Sequence, residues 1–376
     1  MKKILKLIFA LILSVSLVAC GGGGSNEATT DTTDETSEDV YNVVYLVNGN
    51  LGDKSFFDSA QSGLTELESQ GRITLKTIEL GASDSDKPKW ESVMYEVSDS
   101  GEYDFVVLGT FEMADYLKNV ATDYPEQKYI IFDDDSYVGE NENVLNITYK
   151  QNELGYIIGV LAGSITTDTS VEHINEEPVI GFIGGIDCPP INDFLIGYIE
   201  GAQSVNPDIK VDTRYTNDYV DTANAKEFAL SMMNDKKVDV IWGVAGNAGN
   251  GAAEAILETD NAWFIGVDSD QEATFQEELA AITLTSGLKN IGNSLVWVFD
   301  ELDAGNEYWG THVILSLADG GVGIVTDKNY DAIVSDEIKA TVEEAIKSVQ
   351  DGTVKVSTAL GPDAIDVPAI RDSIRP

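Results

Sequence analysis

Two histidines and two cysteines in 376 residues leave little from which to build a catalytic or metal centre. There is no G-x-S-x-G nucleophile elbow, no H-E-x-x-H helix and no G-x-x-x-x-G-K-[ST] phosphate loop. His173 lies in the polar stretch 172–177, which reads as a surface connection, and His312 sits in an apolar run as a structural residue. Beyond Cys20 only Cys188 remains as a soft ligand, so neither a zinc site nor a disulfide framework is expected. Asp133-Asp134-Asp135 and Asp268-Ser269-Asp270 lack the ligand spacing of a calcium-binding EF-hand loop. No cofactor and no metal are expected, and an enzyme is the weaker class.

Basic residues are scarce as well. Sixty-five acidic residues stand against 23 Lys and Arg, for a formal net charge of −42. A charge of that sign argues against nucleic acid and against anionic membrane surfaces as partners. It says little about a small ligand, because salt screens surface charge within about 8 Å.

What is present begins at the N-terminus. Residues 1–19 carry Lys2, Lys3 and Lys6 and then an apolar run from Leu7, which is the pattern of a signal peptide. The run is short of the roughly 20 residues of a comfortable bilayer span. Leu17-Val18-Ala19-Cys20 resembles a bacterial lipobox, so Cys20 is expected to carry lipid after cleavage. Residues 20–39 are almost devoid of apolar side chains and read as a disordered tether. A linker of that kind has a root-mean-square span of roughly 25 Å. The expected location is the extracytoplasmic face of a cell membrane, held by lipid, and a Gram-positive surface suits the long acidic tether better than a periplasm.

From Val40 onward, short β-branched or aromatic runs alternate with longer helical patterns. Strands are predicted at 42–47, 74–79, 105–108, 129–132, 144–148, 179–183, 210–215, 238–242, 263–267 and 281–285. Helices are predicted at 55–69, 90–98, 113–122, 153–165, 192–205, 222–234 and 251–259, then a strand at 323–326 and a helix at 335–350. Continuous apolar strands between helices indicate βαβ units with parallel sheets. So many strands exceed one compact sheet, and two α/β lobes with a break near 148–150 fit better.

In open α/β sheets, ligands bind beyond the carboxyl ends of the strands. Polar and aromatic residues are dense there. After the first strand comes Asn48-Gly49-Asn50-Leu51-Gly52-Asp53-Lys54-Ser55-Phe56-Phe57, where Asp53 or Ser55 can cap the next helix. Of the adjacent Phe56 and Phe57, one is expected to face a cleft as a stacking surface. Asp133 follows the fourth strand, Asp268 the ninth, and Thr285-Ser286-Gly287-Leu288-Lys289 places a lysine just after a strand. Gly246-Asn247-Ala248-Gly249-Asn250-Gly251 fits a tight strand-to-helix turn about as well as a dinucleotide loop.

Together these residues resemble the basic membrane protein family of purine-nucleoside-receptor-like lipoproteins, which deliver substrates to ABC transporters. Gly52-Asp53-Lys54-Ser55-Phe56, Tyr149-Lys150-Gln151-Asn152-Glu153, Ile180-Gly181-Phe182-Ile183-Gly184-Gly185, Phe194-Leu195-Ile196-Gly197-Tyr198, Gly266-Val267-Asp268-Ser269-Asp270-Gln271 and Leu284-Thr285-Ser286-Gly287-Leu288-Lys289 carry the similarity. The resemblance implies a type I periplasmic-binding-protein fold whose two lobes, joined by three crossovers, close on a small ligand. It implies an N-terminal lobe of 40–148 plus 286–310 and a C-terminal lobe of 149–285 plus 311–376. A purine base is then expected between Phe56 and Tyr219, with Asp133, Asp268 and Lys289 at the sugar. Asn48 stands where the family usually has Asp, and Phe57 where it commonly has Asn. The expected partners are a nucleoside, purine favoured, and ABC permease and ATPase subunits. Riboflavin or a sugar on the same scaffold, and a surface sensor or adhesin, are the alternatives.

Overall fold

The computed structural model describes residues 40–137 and 140–376; the expected signal peptide, Cys20 and the tether to residue 39 lie outside the described residues. Twelve strands run in chain order among the described residues: β1 (Tyr41–Val47), β2 (Ile73–Glu79), β3 (Phe105–Gly109), β4 (Lys128–Phe132), β5 (Val144–Tyr149) and β6 (Val179–Gly184). They continue with β7 (Lys210–Tyr215), β8 (Val240–Val244), β9 (Trp263–Asp268), β10 (Thr283–Lys289), β11 (His312–Leu315) and β12 (Val322–Ile324). The helices are α1 (Phe56–Ser69), α2 (Lys87–Ser100), α3 (Phe111–Asp123), α4 (Gln151–Ile165), α5 (Pro189–Val205), α6 (Thr222–Lys236) and α7 (Gly246–Thr259). After them come α8 (Gln271–Thr274), α9 (Glu277–Ala281), α10 (Ile291–Asp303), α11 (Lys328–Ile333), α12 (Asp336–Gln350) and α13 (Val367–Ser373). Among the described residues no helix is long and apolar enough to cross a membrane.

The strands form two six-stranded sheets, ordered β2-β1-β3-β4-β5-β11 and β7-β6-β8-β9-β10-β12. Each pairing in the first sheet is parallel, and in the second only β12 runs antiparallel, against β10. β3, β6, β8 and β9 are buried along their whole length, because helices cover both faces of each sheet. The continuous apolar runs in the sequence have this cause.

The chain passes between the lobes three times: after β5, after β10 and after β11. The strand memberships correct the expected lobe boundaries. β10 stays in the second sheet through Lys289, and His312–Leu315 pairs in parallel with Asn146–Tyr149 at the edge of the first sheet. The segment that returns to the first lobe is therefore α10 and β11. It docks through Gly292, whose carbonyl and Cα lie where a Cβ on Gly63 of α1 would stand. β11 escaped prediction because a four-residue, half-exposed edge strand carries no periodicity of its own. His312 is structural, bonded through Nε2 to Thr148 Oγ1 at 2.7 Å, while the His173 ring lies edge-on to Trp263 rather than free at the surface.

The second lobe is built around α4, which is buried on nearly every side. Its Gly155 and Gly159 face the carbonyls of Phe194 and Tyr198 in α5, and Gly197 and Gly201 of α5 face those of Asn152 and Tyr156. Spacings of four residues put each glycine pair on one face, so the two helices meet backbone to backbone. A Cβ added at Gly197 would lie 2.0 Å from the Asn152 carbonyl oxygen, whereas one at Gly323 meets nothing within 4 Å. Gly197→Ala is expected to cost about 1–3 kcal/mol of stability and to lower the thermal midpoint by several degrees, with Gly323→Ala near neutral. Equal midpoints for the two variants in differential scanning calorimetry would refute this backbone contact.

Candidate functional site

Both sheets turn the carboxyl ends of their parallel strands toward one cavity of about 590 Å³ between the lobes. All seven residues singled out from the sequence line it: Asn48, Phe56, Phe57, Asp133, Tyr219, Asp268 and Lys289. Asn48 follows β1, the two phenylalanines open α1, Asp133 follows β4, and Tyr219 lies between β7 and α6. Asp268 and Lys289 are the last residues of β9 and β10.

Positive backbone φ angles punctuate these strand ends: Thr110 at 76°, Asp133 at 67° and Asp268 at 65°. Non-glycine residues rarely adopt them, and such strain gathers where a side chain must be aimed. β4 and β9 hold the fourth place in their respective sheets counted from β2 and β7, so Asp133 and Asp268 are topological counterparts.

Phe56 and Phe57 both line the cavity. Their rings meet edge to face at 5.3 Å, and Phe56 also lies 5.4 Å from Phe132. Phe57 fits because Gly49 has no side chain; a Cβ there would stand 2.5 Å from the ring. Tyr219 is accommodated in the same way, with its ring over Gly185 at 2.2 Å from where a Cβ would be.

Lys289 is 3% exposed and donates from Nζ to Asp133 Oδ1 at 2.7 Å. Its ammonium also sits 4.9 Å from the centroid of Phe56, 5.4 Å from Phe194 and 5.6 Å from Tyr149, a cation among three ring faces. Asp268 is buried as well. Burial raises its pKa, against the lowering pull of Lys289 and of the hydrogen bond from Ser55. Ser55 Oγ donates to Asp268 Oδ2 at 2.8 Å, and Ser269 Oγ donates back to the Ser55 carbonyl at 2.9 Å, so the lobes touch on this side of the cleft.

With its hydroxyl turned to Asp268, Ser55 does not cap α1. Asp53 does, accepting from the N–H groups of Ser55, Phe57 and Asp58 at 2.9–3.1 Å. Burial lifts its carboxyl to about 6 despite those bonds. Asn48 donates to Thr110 Oγ1 at 2.9 Å, while its Oδ1 is buried with no hydrogen-bond partner among the described residues.

Thr110, Glu112, Asp84, Lys87 and Asp218 also line the cavity and were not anticipated. Thr110-Phe111-Glu112 follows β3 as Asn48 follows β1, so the same carboxyl-end rule could have found it. Burial raises the pKa of the Glu112 carboxyl. Cys188, the one free cysteine among the described residues, is half-buried at the start of α5, and burial raises its thiol pKa, so it is no ready nucleophile.

The sequence model of the family described as "ABC transporter substrate-binding protein PnrA-like" matches residues 40–354. The chain is 28% identical over 368 residues to a CD4+ T-cell-stimulating antigen of Listeria innocua, covering 93% of this chain and 98% of that one. It is likewise 28% identical over 368 residues to the ABC transporter nucleoside-binding protein BmpA of Lactococcus lactis, with 95% and 99% covered. Among solved structures, an ABC transporter solute-binding protein from Aeropyrum pernix K1 superposes with a TM-score of 0.77 at 26% identity, covering 89% of this chain and 97% of that one. The two-lobed architecture is that of the periplasmic-binding-protein fold.

Beside Asp133, the carboxyl of Asp134 is 8% exposed and pushed up to about 6 by burial, while it accepts from Ser136 N and Ser136 Oγ. The folded state thus holds this proton more tightly than the unfolded chain. Its stabilising effect is present at acid pH and lost as pH rises through about 6. Asparagine can accept from Ser136 N through Oδ1 and donate from Nδ2 to Ser136 Oγ, without the charge. Asp134→Asn is expected to be more stable than the parent by about 1–2 kcal/mol at pH 7.5, with the gain fading toward pH 4. A stability difference that does not change with pH in urea titrations would contradict the buried-charge account.

Proposed function

The chain belongs to the Bmp family of PnrA-like ABC transporter substrate-binding proteins, and on that premise we propose that it captures a nucleoside, purine favoured, and passes it to a permease and ATPase. One observation carries the reading: two ring systems, Phe56 and Tyr219, share a cavity with Asp133, Asp268 and Lys289. Stacking a base on an aromatic ring contributes about 1–3 kcal/mol. Hydrogen bonds from a ribose diol to a sheltered carboxylate such as Asp268 contribute about 1.5–3 kcal/mol. The nucleoside-binding relative supports the same ligand class. Capture proceeds by hinge closure of the lobes about the three passages between them.

Phe57 favours a second ligand, a larger ring such as a flavin. It brings another aromatic face where a sugar would gain from a polar group, in a cavity of about 590 Å³.

We further propose that lipid on Cys20 holds the receptor on the extracytoplasmic face of the membrane. The tether keeps it near its permease and raises their effective concentration. Cys20→Ser is expected to release the protein into the medium; retention of that variant in the membrane fraction would remove the anchor.

A thermal-shift panel of nucleosides, nucleobases, flavins and sugars tests the ligand class, with calorimetry on the best binder. Phe56→Ala is expected to weaken that binder about 10- to 100-fold, and Asp268→Ala at least about tenfold. A panel in which no nucleoside stabilises the protein would defeat the nucleoside reading, and unchanged affinity in Asp268→Ala would remove the sugar contact.

A further inference from the structure

Residues 355–376 follow the stretch that the family model matches, yet they are built into the second lobe. Asn152 Nδ2 of α4 donates to the carbonyls of Val356 and Ser357 at 3.2 and 3.1 Å, and the Ser357 N–H donates to Glu200 Oε2 of α5 at 3.0 Å. Asp193, 1% exposed on α5, accepts from Thr358 Oγ1 at 2.6 Å and from the Ala359 N–H at 2.7 Å. Further on, the Val211 N–H of β7 donates to the Ile374 carbonyl, and Val367 and Ile374 are buried in the core. This segment therefore fastens α5 and β7 from the side away from the cleft, while Pro190, Ile191 and Phe194 of α5 line the cavity.

One of its side chains acts on the cleft wall. Arg371 of α13 donates from Nη1 to Asp187 Oδ2 at 2.9 Å, and its guanidinium lies 5.6 Å from the centroid of the Tyr215 ring. Asp187 Oδ1 accepts from Asn192 Nδ2 at 2.8 Å, and Asn192 Oδ1 accepts from the Tyr215 hydroxyl at 2.5 Å. Four side chains thus join α13, the loop between β6 and α5, α5 itself and the end of β7. Arg371 does not line the cavity.

The loop it holds, 185–188, carries Tyr219. Gly185 lies under the Tyr219 ring, and its carbonyl accepts from the Asn217 N–H at 2.9 Å. Ile186 faces the cavity. Burial raises the pKa of both the Cys188 thiol and the Tyr219 hydroxyl, and each group also perturbs the other, so the two lie side by side. A short loop opened by glycine loses conformational entropy when it is fixed, and a hydrogen-bonded network at its outer end offsets that loss.

We propose that Arg371 is a positioning residue for ligand capture: through Asp187 it fixes the 185–188 loop, and with it the ring of Tyr219. The proposal rests on the cleft being the ligand site, as the nucleoside reading has it, and adds a residue that touches no ligand. Coupling runs through contiguous bonded groups.

The test uses the full chain carrying Cys20→Ser, in which Cys188 is the one remaining thiol. Its alkylation by iodoacetamide reads the loop directly, because a half-buried thiol reacts through local opening. Calorimetry with the best binder of the nucleoside and flavin panel reads the ring. Arg371→Ala is expected to speed alkylation and to weaken binding, each about three- to tenfold. Arg371→Lys, which keeps the charge without the planar fork, is expected to recover most of both losses. Arg72→Ala breaks a similar guanidinium pairing, to Asp300 and Asp303, and serves as the control. It is expected to leave alkylation and affinity within twofold of the parent. Circular dichroism checks that all three variants fold. Parental alkylation in Arg371→Ala overturns the proposal, as does faster alkylation with unchanged affinity. An equal effect in Arg72→Ala also overturns it, by assigning the change to general loosening. If a flavin binds in place of any nucleoside and Arg371→Ala weakens it, the nucleoside reading fails and this one stands. A nucleoside bound equally by parent and Arg371→Ala gives the reverse.

Discussion

A lysine ammonium with only 3% exposure must be neutralised, and in this fold the carboxylate that does so comes from the opposite lobe. Lys289 ends the last parallel strand of the second sheet, at the point where the chain crosses back, and Asp133 follows the fourth strand of the first. Removing one partner of a buried pair costs about 3–5 kcal/mol, because the other charge is left stranded. The rings of Phe56, Tyr149 and Phe194 surround the same ammonium, so the aromatic wall of the cleft and its charge are set together. The cleft and the second crossover therefore share one electrostatic centre.

Around that pair the two lobes repeat one solution. Each sheet ends its fourth strand in an aspartate at positive φ, and each sends a helix N-terminus toward the gap. Asp53 takes over the capping of α1, which frees the Ser55 hydroxyl to reach Asp268 across the cleft. Among the described residues the cavity is lined by rings, carboxylates and two paired lysines, and three chain crossings join the lobes. A receptor that hands on its cargo unchanged needs shape, stacking and polar contacts of this kind.

Much of this was legible in the residues alone. The ten strands predicted before residue 290 are all present, most with ends shifted by a residue or two. Val179–Gly184 and Trp263–Asp268 read correctly because strands buried on both faces leave continuous apolar runs. Asn48, Phe56, Asp133, Asp268 and Lys289 could be chosen because chain order alone places them after strands. β11 was not legible. Its partner, Asn146–Tyr149, lies more than a hundred residues away, and no local pattern encodes such a pairing.

The sequence by itself determined the alternation of strands and helices, the acidic charge and the places where strand ends would present polar side chains. These follow from periodicity and composition, which are local. Only the tertiary structure decided how Phe57 fits beside Phe56 at the cavity, since that depends on the missing side chain of Gly49. It alone decided that Lys289 is buried against Asp133 rather than exposed at a hinge, and that Asp53 rather than Ser55 caps α1. Burial and hydrogen-bond saturation are properties of neighbours in space, and those neighbours are set by the way the chain crosses between the lobes.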